Sequence, residues 1–333
     1  MGHPLTSERT RKLGNTGLFI GPLGLGSVNF SWLTEEPESF AIMDAARDAG
    51  VNFLDTSDNY NAGKTEALIG RWFGQGGGRR EQTVLATKVF SAPMEWGSSD
   101  PAKRSGSWVG PNQKGLSAKH IREACDASLK RLNTDYIDLY QMHHVDRNTR
   151  WEEIWQAMEL LVQQGKILYV GSSNFAGWHI AQAQGVAKQR HFLGLVSEQS
   201  VYNLMKRTVE LEVIPACRAY DMAFLSYSPL AAGMLGGKPT ENERGRRAFL
   251  RSSERIDSFE ELCRSIGRKP ADVALAWLAQ QPGVTAPIVG PRTVAQFRAN
   301  LAALEIELSA EVRKRLDELF PGPGGAAPEA YAW

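Results

Sequence analysis

The chain has 333 residues, 42% of them hydrophobic and 23% charged, with 38 Lys and Arg against 37 Asp and Glu. Such a composition belongs to an ordinary globular protein with enough chain to bury a large core. A formal net charge of +1 offers no electrostatic case for nucleic acid or an anionic membrane, and the longest apolar runs are strand-sized, too short to span a bilayer.

Met1 to Lys12 is polar and lacks a signal-peptide core, so a cytoplasmic location is expected. Arg11 to Ile20 sets two short arms around Gly14-Asn15-Thr16-Gly17, a β-hairpin pattern. Pro22 to Val28 then reads as a strand, and Pro37 to Ala49 as a helix with Phe40, Ile42, Met43, Ala46 and Ala49 on one face. Strand and helix alternate from there. Val51 to Asp55, Val84 to Lys88, Ile137 to His143, Ile167 to Ser172, Leu195 to Gln199, Ala223 to Ser228 and Ala286 to Val289 are short and apolar, as buried parallel strands are. Helices are expected at Thr65 to Phe73, Ser117 to Leu132, Trp151 to Gln164, Ala176 to Lys188 and Thr208 to Tyr220, with Ser117 and Thr149 as caps. Ser309 to Phe320 adds a capped amphipathic helix that Pro321 to Gly325 breaks. Cys125, Cys217 and Cys263 are odd in number and lie in helical patterns, which suits reduced structural thiols.

Eight strands alternating with helices predict a (β/α)8 TIM barrel. The whole of 1–333 is expected to be one domain, with 1–10 and 321–333 as tails. Strand C-terminal ends in such a barrel open on one face. Asp55 ends one strand with Tyr60 in the loop beyond it, Lys88 ends the next, and His143 another. Together a carboxylate, a phenol, an ammonium and an imidazole make a proton-handling site. Taken singly, Asp55 and Asp58 also suit turn formation, and Tyr60 an ordinary loop aromatic. Lys88, among Leu85, Ala86, Val89 and Phe90, needs a partner to be buried. His143 and His144 are successive strand residues that face opposite ways, so they do not make a metal-binding pair, and no metal is expected.

The chain resembles the aldo-keto reductase superfamily. The resemblance rests on Phe53 to Gly70 (FLDTSDNYNAGKTEALIG), Ala86 to Lys88 (ATK), Asp135 to His143 (DYIDLYQMH), Gly171 to Phe175 (GSSNF), Glu198 to Asn203 (EQSVYN), Tyr227 to Leu235 (YSPLAAGML) and Ile288 to Leu301 (IVGPRTVAQFRANL), in the family's order. It implies a catalytic tetrad of Asp55, Tyr60, Lys88 and His143, in which Tyr60 protonates a carbonyl oxygen, Lys88 and Asp55 tune it, and His143 orients the carbonyl. A phenol's ordinary pKa of about 10 is high for that task, and a nearby ammonium lowers it. The hairpin would plug the bottom of the barrel.

Gly24-Leu25-Gly26 lacks the third glycine of a dinucleotide fingerprint and reads as a tight strand end. The cofactor is therefore implied by resemblance alone, as NADPH/NADP+. Ser173, Asn174 and Gln199 match positions that hold the nicotinamide carboxamide, and Tyr227 matches an aromatic that stacks on its ring. Ser228, Leu230, Gly233 and Leu235 match positions whose backbone follows the pyrophosphate. Gly290, Arg292, Gln296 and Asn300 lie about the start of the last barrel helix, where the dipole favours an anion and a guanidinium suits a 2′-phosphate.

Two long connections are expected to be functional. Phe90 to Gly115 carries Trp96 and Trp108 and is expected to wall the substrate pocket; Pro229 to Arg255 carries Arg244, Arg246 and Arg247 and suits either a cover over an anion or a solvated loop. By the resemblance, the C-terminal Tyr331-Ala332-Trp333 would dock near the pocket. The partner expected is a small carbonyl substrate, with homo-oligomerisation left open. Ala62 to Gly70 also resembles the subgroup that includes potassium-channel β-subunits, so an NADPH-binding regulatory subunit is the alternative function.

Overall fold

The structure, a computed structural model, describes residues 10–237 and 254–332, excepting the side chains of residues 331 and 332. A hairpin comes first: β1 (Arg11–Lys12) pairs antiparallel with β2 (Phe19–Ile20). Eight parallel strands follow, β3 (Gly24–Gly26), β4 (Phe53–Asp55), β5 (Val84–Val89), β6 (Ile137–Met142), β7 (Ile167–Ser173), β8 (Leu195–Val201), β9 (Ala223–Tyr227) and β10 (Val284–Val289). They close in chain order, β10 pairing with β3, so the fold is the expected (β/α)8 barrel.

Period-two alternation sorts the strand side chains. Phe53, Val84, Ala86, Leu139, Leu225 and Ile288 pack together inside, while Leu25, Leu54, Leu85 and Val289 pack against helices α1 (Glu36–Asp48) and α2 (Lys64–Phe73). Leu13 and Ile20 of the hairpin join the inner cluster with Val196 and Ala223, near the starts of β8 and β9, and so close the lower end. Gly14 allows that approach: its φ is 62°, and a Cβ there would stand 2.4 Å from the Val196 carbonyl oxygen.

The remaining helices are α3 (Pro101–Ser105), α4 (Ala118–Leu132), α5 (Trp151–Gln163), α6 (Gly177–Gln189), α7 (Val213–Ala219), α8 (Glu254–Ser265), α9 (Pro270–Ala279), α10 (Val294–Ala303), α11 (Ala310–Leu319) and α12 (Glu329–Ala332). Ser117 caps α4 by accepting from the His120 N–H, and Ser309 caps α11. Thr149 does not cap α5. Its hydroxyl donates to Asp146 at 3.0 Å, and Arg150 holds the cap position without a side-chain bond. The helix expected over Thr208 to Tyr220 is divided into a 3-10 turn at Thr208–Glu210 and α7. Helices α3, α8, α9 and α12 were not anticipated. In α9 every residue from Val273 to Leu278 is buried, so it lacks the polar stripe that marks a surface helix.

Helices α2 and α4 meet closely beside the Tyr60 loop. Glu66 is fully buried and accepts from Thr87 at 2.6 Å and from the Arg131 guanidinium at 2.7 Å. At Gly70 an added Cβ would lie 2.1 Å from the Arg131 carbonyl oxygen. An exposed helical Gly→Ala change gains roughly 1 kcal/mol, but forced overpacking costs about 2 kcal/mol, so steric crowding decides the sign here. Gly70→Ala is expected to lower the thermal midpoint. An unchanged or raised midpoint would show that the seam relaxes.

Candidate active site

Four strand ends place polar side chains inside the barrel mouth. Lys88, on β5, is fully buried, and its ammonium donates to Asp55 Oδ2 at 2.6 Å, the Thr56 carbonyl at 2.8 Å and the Tyr60 hydroxyl at 3.4 Å. Those are three bonds for a group with three donors. Asp55 Oδ1 accepts from Gln141 at 3.1 Å and Gln199 at 2.8 Å. The carboxylate is thus fixed from β5, β6 and β8 at once.

Burial works against the Lys88 ammonium, but the Asp55 carboxylate and the Tyr60 phenol together hold its pKa above the ordinary 10.5. His143 follows β6, its ring edge-on to Tyr60 with centroids 6.1 Å apart and its Nδ1 3.0 Å from Ser57 Oγ. Burial, the Lys88 charge and His144 push its pKa down to about 3. Near neutral pH the imidazole is therefore uncharged. His144 turns away, its ring 5.5 Å from Phe90 and its Nδ1 3.0 Å from the Val145 carbonyl.

An aromatic wall stands over Tyr60. Trp96, from the long β5–α4 connection, lies 5.8 Å from the Tyr60 ring and 5.3 Å from Trp32. Lys64 and Lys103 pair with Glu95 beside it at 2.6 and 3.7 Å. Trp108, expected in the same wall, is instead 52% exposed.

Beside His143, Asn174 takes a left-handed conformation at φ 59°. Its amide donates to the His143 carbonyl at 3.1 Å and to Ser173 Oγ at 2.9 Å, and its oxygen accepts from the Tyr227 hydroxyl at 2.9 Å. After β9, the amides of Gly233 and Leu235 both donate to the Leu230 carbonyl, the Ala231 amide donates to the Ser228 carbonyl, and the Leu235 side chain is buried in the core. This turn is thus largely bonded to itself. The basic cluster Arg244, Arg246 and Arg247 lies outside the described residues.

At the start of α10, Gln296 accepts from the Arg292 amide at 2.8 Å, and its own amide donates to the capping Thr293. Gly290 accepts from Asn29 at 2.7 Å, and Glu38 accepts from the Val294 amide at 2.8 Å. Arg292 and Asn300 are half-buried and Gln296 is exposed. The C-terminal segment is bonded to the β8–α7 connection, Ala327 to Leu211 at 2.9 Å, and the side chain of Tyr331 and all of Trp333 lie outside the described residues.

A model of the aldo/keto reductase family matches residues 22–320. The chain belongs to the aldo/keto reductase family. It is 50% identical over 332 residues to the uncharacterized oxidoreductase YrpG of Bacillus subtilis, covering 96% of this chain and 98% of that protein. It is 33% identical over 313 residues to a probable voltage-gated potassium channel subunit beta of Oryza sativa, covering 89% and 91% of the two chains. Identity to the versiconal hemiacetal acetate reductase of Aspergillus parasiticus is 32% over 333 residues, covering 93% and 96%. Aldo-keto reductases generally use NAD(P)H, and the family and these relatives support an oxidoreductase that reduces carbonyl compounds. Among the described residues no helix is long and apolar enough to cross a membrane.

The structure of this aldo-keto reductase thus brings Asp55, Tyr60, Lys88 and His143 together, with Asn174, Ser173 and Tyr227 adjoining them. The Gln199 side chain belongs to the Asp55 anchor, and its backbone carbonyl accepts from the Asn174 amide at 3.1 Å. Gln141, Ser57 and Glu38 were not anticipated. Gln141 carried a signal: it stands two residues after Leu139 on one strand face, a polar residue at an inward position.

Because the folded pKa of His143, about 3, lies below the ordinary 6.5, its contribution to stability is complete above pH 6.5 and is lost as pH falls toward 3. Imidazole NMR signals of His143 are expected to hold their neutral positions from pH 8 to pH 5. A full titration centred near 6.5 would overturn the buried, neutral assignment.

Proposed function

We propose that this aldo-keto reductase uses NADPH to reduce an aldehyde, ketone or keto-sugar, with Tyr60 as the proton donor. The observation that carries the reading is the Lys88 ammonium, held by Asp55 and the Thr56 carbonyl and donating to the Tyr60 hydroxyl at 3.4 Å. Negative charge that develops on the phenol oxygen as its proton leaves is met by a fixed, buried cation. The stabilisation grows as the charge grows, which is what lowers a barrier rather than merely tightening binding. Asp55, held in turn by Gln141 and Gln199, keeps that cation in place.

His143 is uncharged, so its role is orientation by hydrogen bonding. With Nδ1 tied to Ser57, the ring meets the substrate oxygen through Nε2. Trp96, packed on the Tyr60 ring, and Trp32 beside it would offer apolar surface to the rest of the substrate.

A nicotinamide dinucleotide, when bound, supplies the hydride. The side chains beside His143 fit such a group: the Ser173 hydroxyl can donate, the Asn174 side-chain oxygen, which already accepts from Tyr227, can accept a second bond, and the Tyr227 ring suits a planar aromatic ring. At the far end Arg292 would take the 2′-phosphate. Glu38 already engages the Val294 amide there, so the guanidinium rather than the helix dipole would carry the preference for NADPH.

A cofactor-binding docking subunit is the second reading, favoured by the similarity to the rice channel-subunit relative. The complete set of four proton-handling side chains favours turnover. NADPH oxidation against a panel of aldehydes, ketones and keto-sugars separates the two. Tyr60→Phe is expected to keep NADPH affinity and lose at least about 100-fold in kcat, the scale of general acid catalysis; retained turnover removes Tyr60 as the acid. Arg292→Ala is expected to weaken NADPH about tenfold more than NADH, the loss of one charge-assisted contact. Equal weakening of the two would place the phosphate elsewhere.

A further inference from the structure

Glu198 is the neighbour of Gln199 on β8 but faces away from the barrel interior, and it is fully buried. Among the described residues no cation pairs with it. Its oxygens instead accept three hydrogen bonds from the ends of β7 and β8: Ser172 Oγ on Oε2, and Ser200 Oγ at 2.6 Å and the Phe175 amide at 3.1 Å on Oε1. Burial pushes its carboxyl up to about 7, with the Ser172 and Ser200 hydroxyls and the Phe175 and Asn174 amides acting against that. A buried acid is a costly way to fill apolar space, so what it holds needs an account.

Ser172 and Phe175 bracket the Ser173–Asn174 corner. There the chain leaves β7 and turns left-handed at Asn174, whose amide donates to the Gln199 carbonyl at 3.1 Å. The next amide, that of Phe175, is buried beyond the β7 ladder, and Glu198 gives it an acceptor. The corner in turn aims the Asn174 side chain, which joins the His143 carbonyl to the Tyr227 hydroxyl.

We propose that Glu198 is a positioning residue for the nicotinamide end of the cofactor, clamping both sides of the corner so that Asn174 and Ser173 present a preformed site for the carboxamide. The proposal rests on the cofactor reading above. It assigns Glu198 no contact with the cofactor; the effect passes through the Phe175 amide and Ser172 hydroxyl. A glutamine at this position can still offer its carbonyl oxygen to Phe175. Its amino group would face Ser172, which can reverse its bond because the Ser197 carbonyl lies 3.2 Å from the same hydroxyl. A methionine removes the acceptor, and an aspartate is one methylene too short to keep it on Phe175.

The test compares binding of NADP+ with binding of 2′-phospho-ADP-ribose, which is the same molecule without nicotinamide, by calorimetry on the full chain, with thermal melting as a control for folding. Glu198→Met is expected to weaken NADP+ at least tenfold while leaving 2′-phospho-ADP-ribose within about twofold. Glu198→Asp should show the same selective loss and supplies the measurement where the methionine variant does not fold. Glu198→Gln should restore NADP+ affinity to within about threefold of wild type. Equal loss of both ligands in a folded Met or Asp variant, or no loss of either, overturns the positioning role and leaves the cofactor reading intact. Failure of the wild-type protein to bind NADP+ overturns both.

Discussion

The buried ion pair between Lys88 and Asp55 is the constraint on which the barrel mouth depends. Two charges removed from water are tolerated only when nearly every donor and acceptor is matched, and removing one partner of such a pair costs about 3–5 kcal/mol. Here the matching groups come from several strands: Gln141 of β6 and Gln199 of β8 on one carboxylate oxygen, Lys88 of β5 on the other, and the Thr56 carbonyl and Tyr60 hydroxyl on the ammonium. The same bonds that make the pair affordable bring Tyr60 to the cation. Stability of the mouth and the placement of the Tyr60 hydroxyl beside a buried cation therefore have one origin.

Most left-handed non-glycine residues among those described lie in loops that follow strands, on the same side of the barrel, while Asn133, His191 and Asp221 follow helices. Asn61 and Ala62, next to Tyr60, have φ of 47° and 55°, and Asn174, Ser228, Ala231 and Ala232 are also positive. Left-handed non-glycine residues are costly and persist where surrounding bonds over-determine them. Asn61 is held by its amide on the Ser31 carbonyl, and Asn174 by bonds from both sides. The close α2–α4 seam at Gly70 and the hairpin packed through Gly14 are the rigid parts against which these loops are set.

The barrel and the placement of Asp55, Lys88 and His143 were legible because strand patterning reports which side chains stand at or near C-terminal ends, with Tyr60 in the loop beyond Asp55. Cap chemistry was legible at Ser117 and Ser309 but not at Thr149, where Asp146 competes for the hydroxyl. Helix α8 has its buried residues Ile256, Phe259 and Cys263 at helical spacing, so its pattern is in the sequence; α9, buried along most of its length, has no such stripe. Trp96 and Trp108 look alike as loop aromatics; Trp96, packed on Trp32 and next to Glu95 with its ion pairs to Lys64 and Lys103, is the one that reaches Tyr60.

The sequence by itself determined that strands alternate with helices and that Asp55, Lys88 and His143 stand at or just beyond strand ends, with Tyr60 in the loop after Asp55. Those facts follow from local periodicity, which each short segment carries alone. Which atoms meet was decided by tertiary structure. Gln199 reaches Asp55 across 144 residues of chain, Glu38 reaches the α10 N-terminus across 256, and Glu198 reaches the Phe175 amide from a neighbouring strand. Barrel closure and register set those distances, and no single segment encodes them.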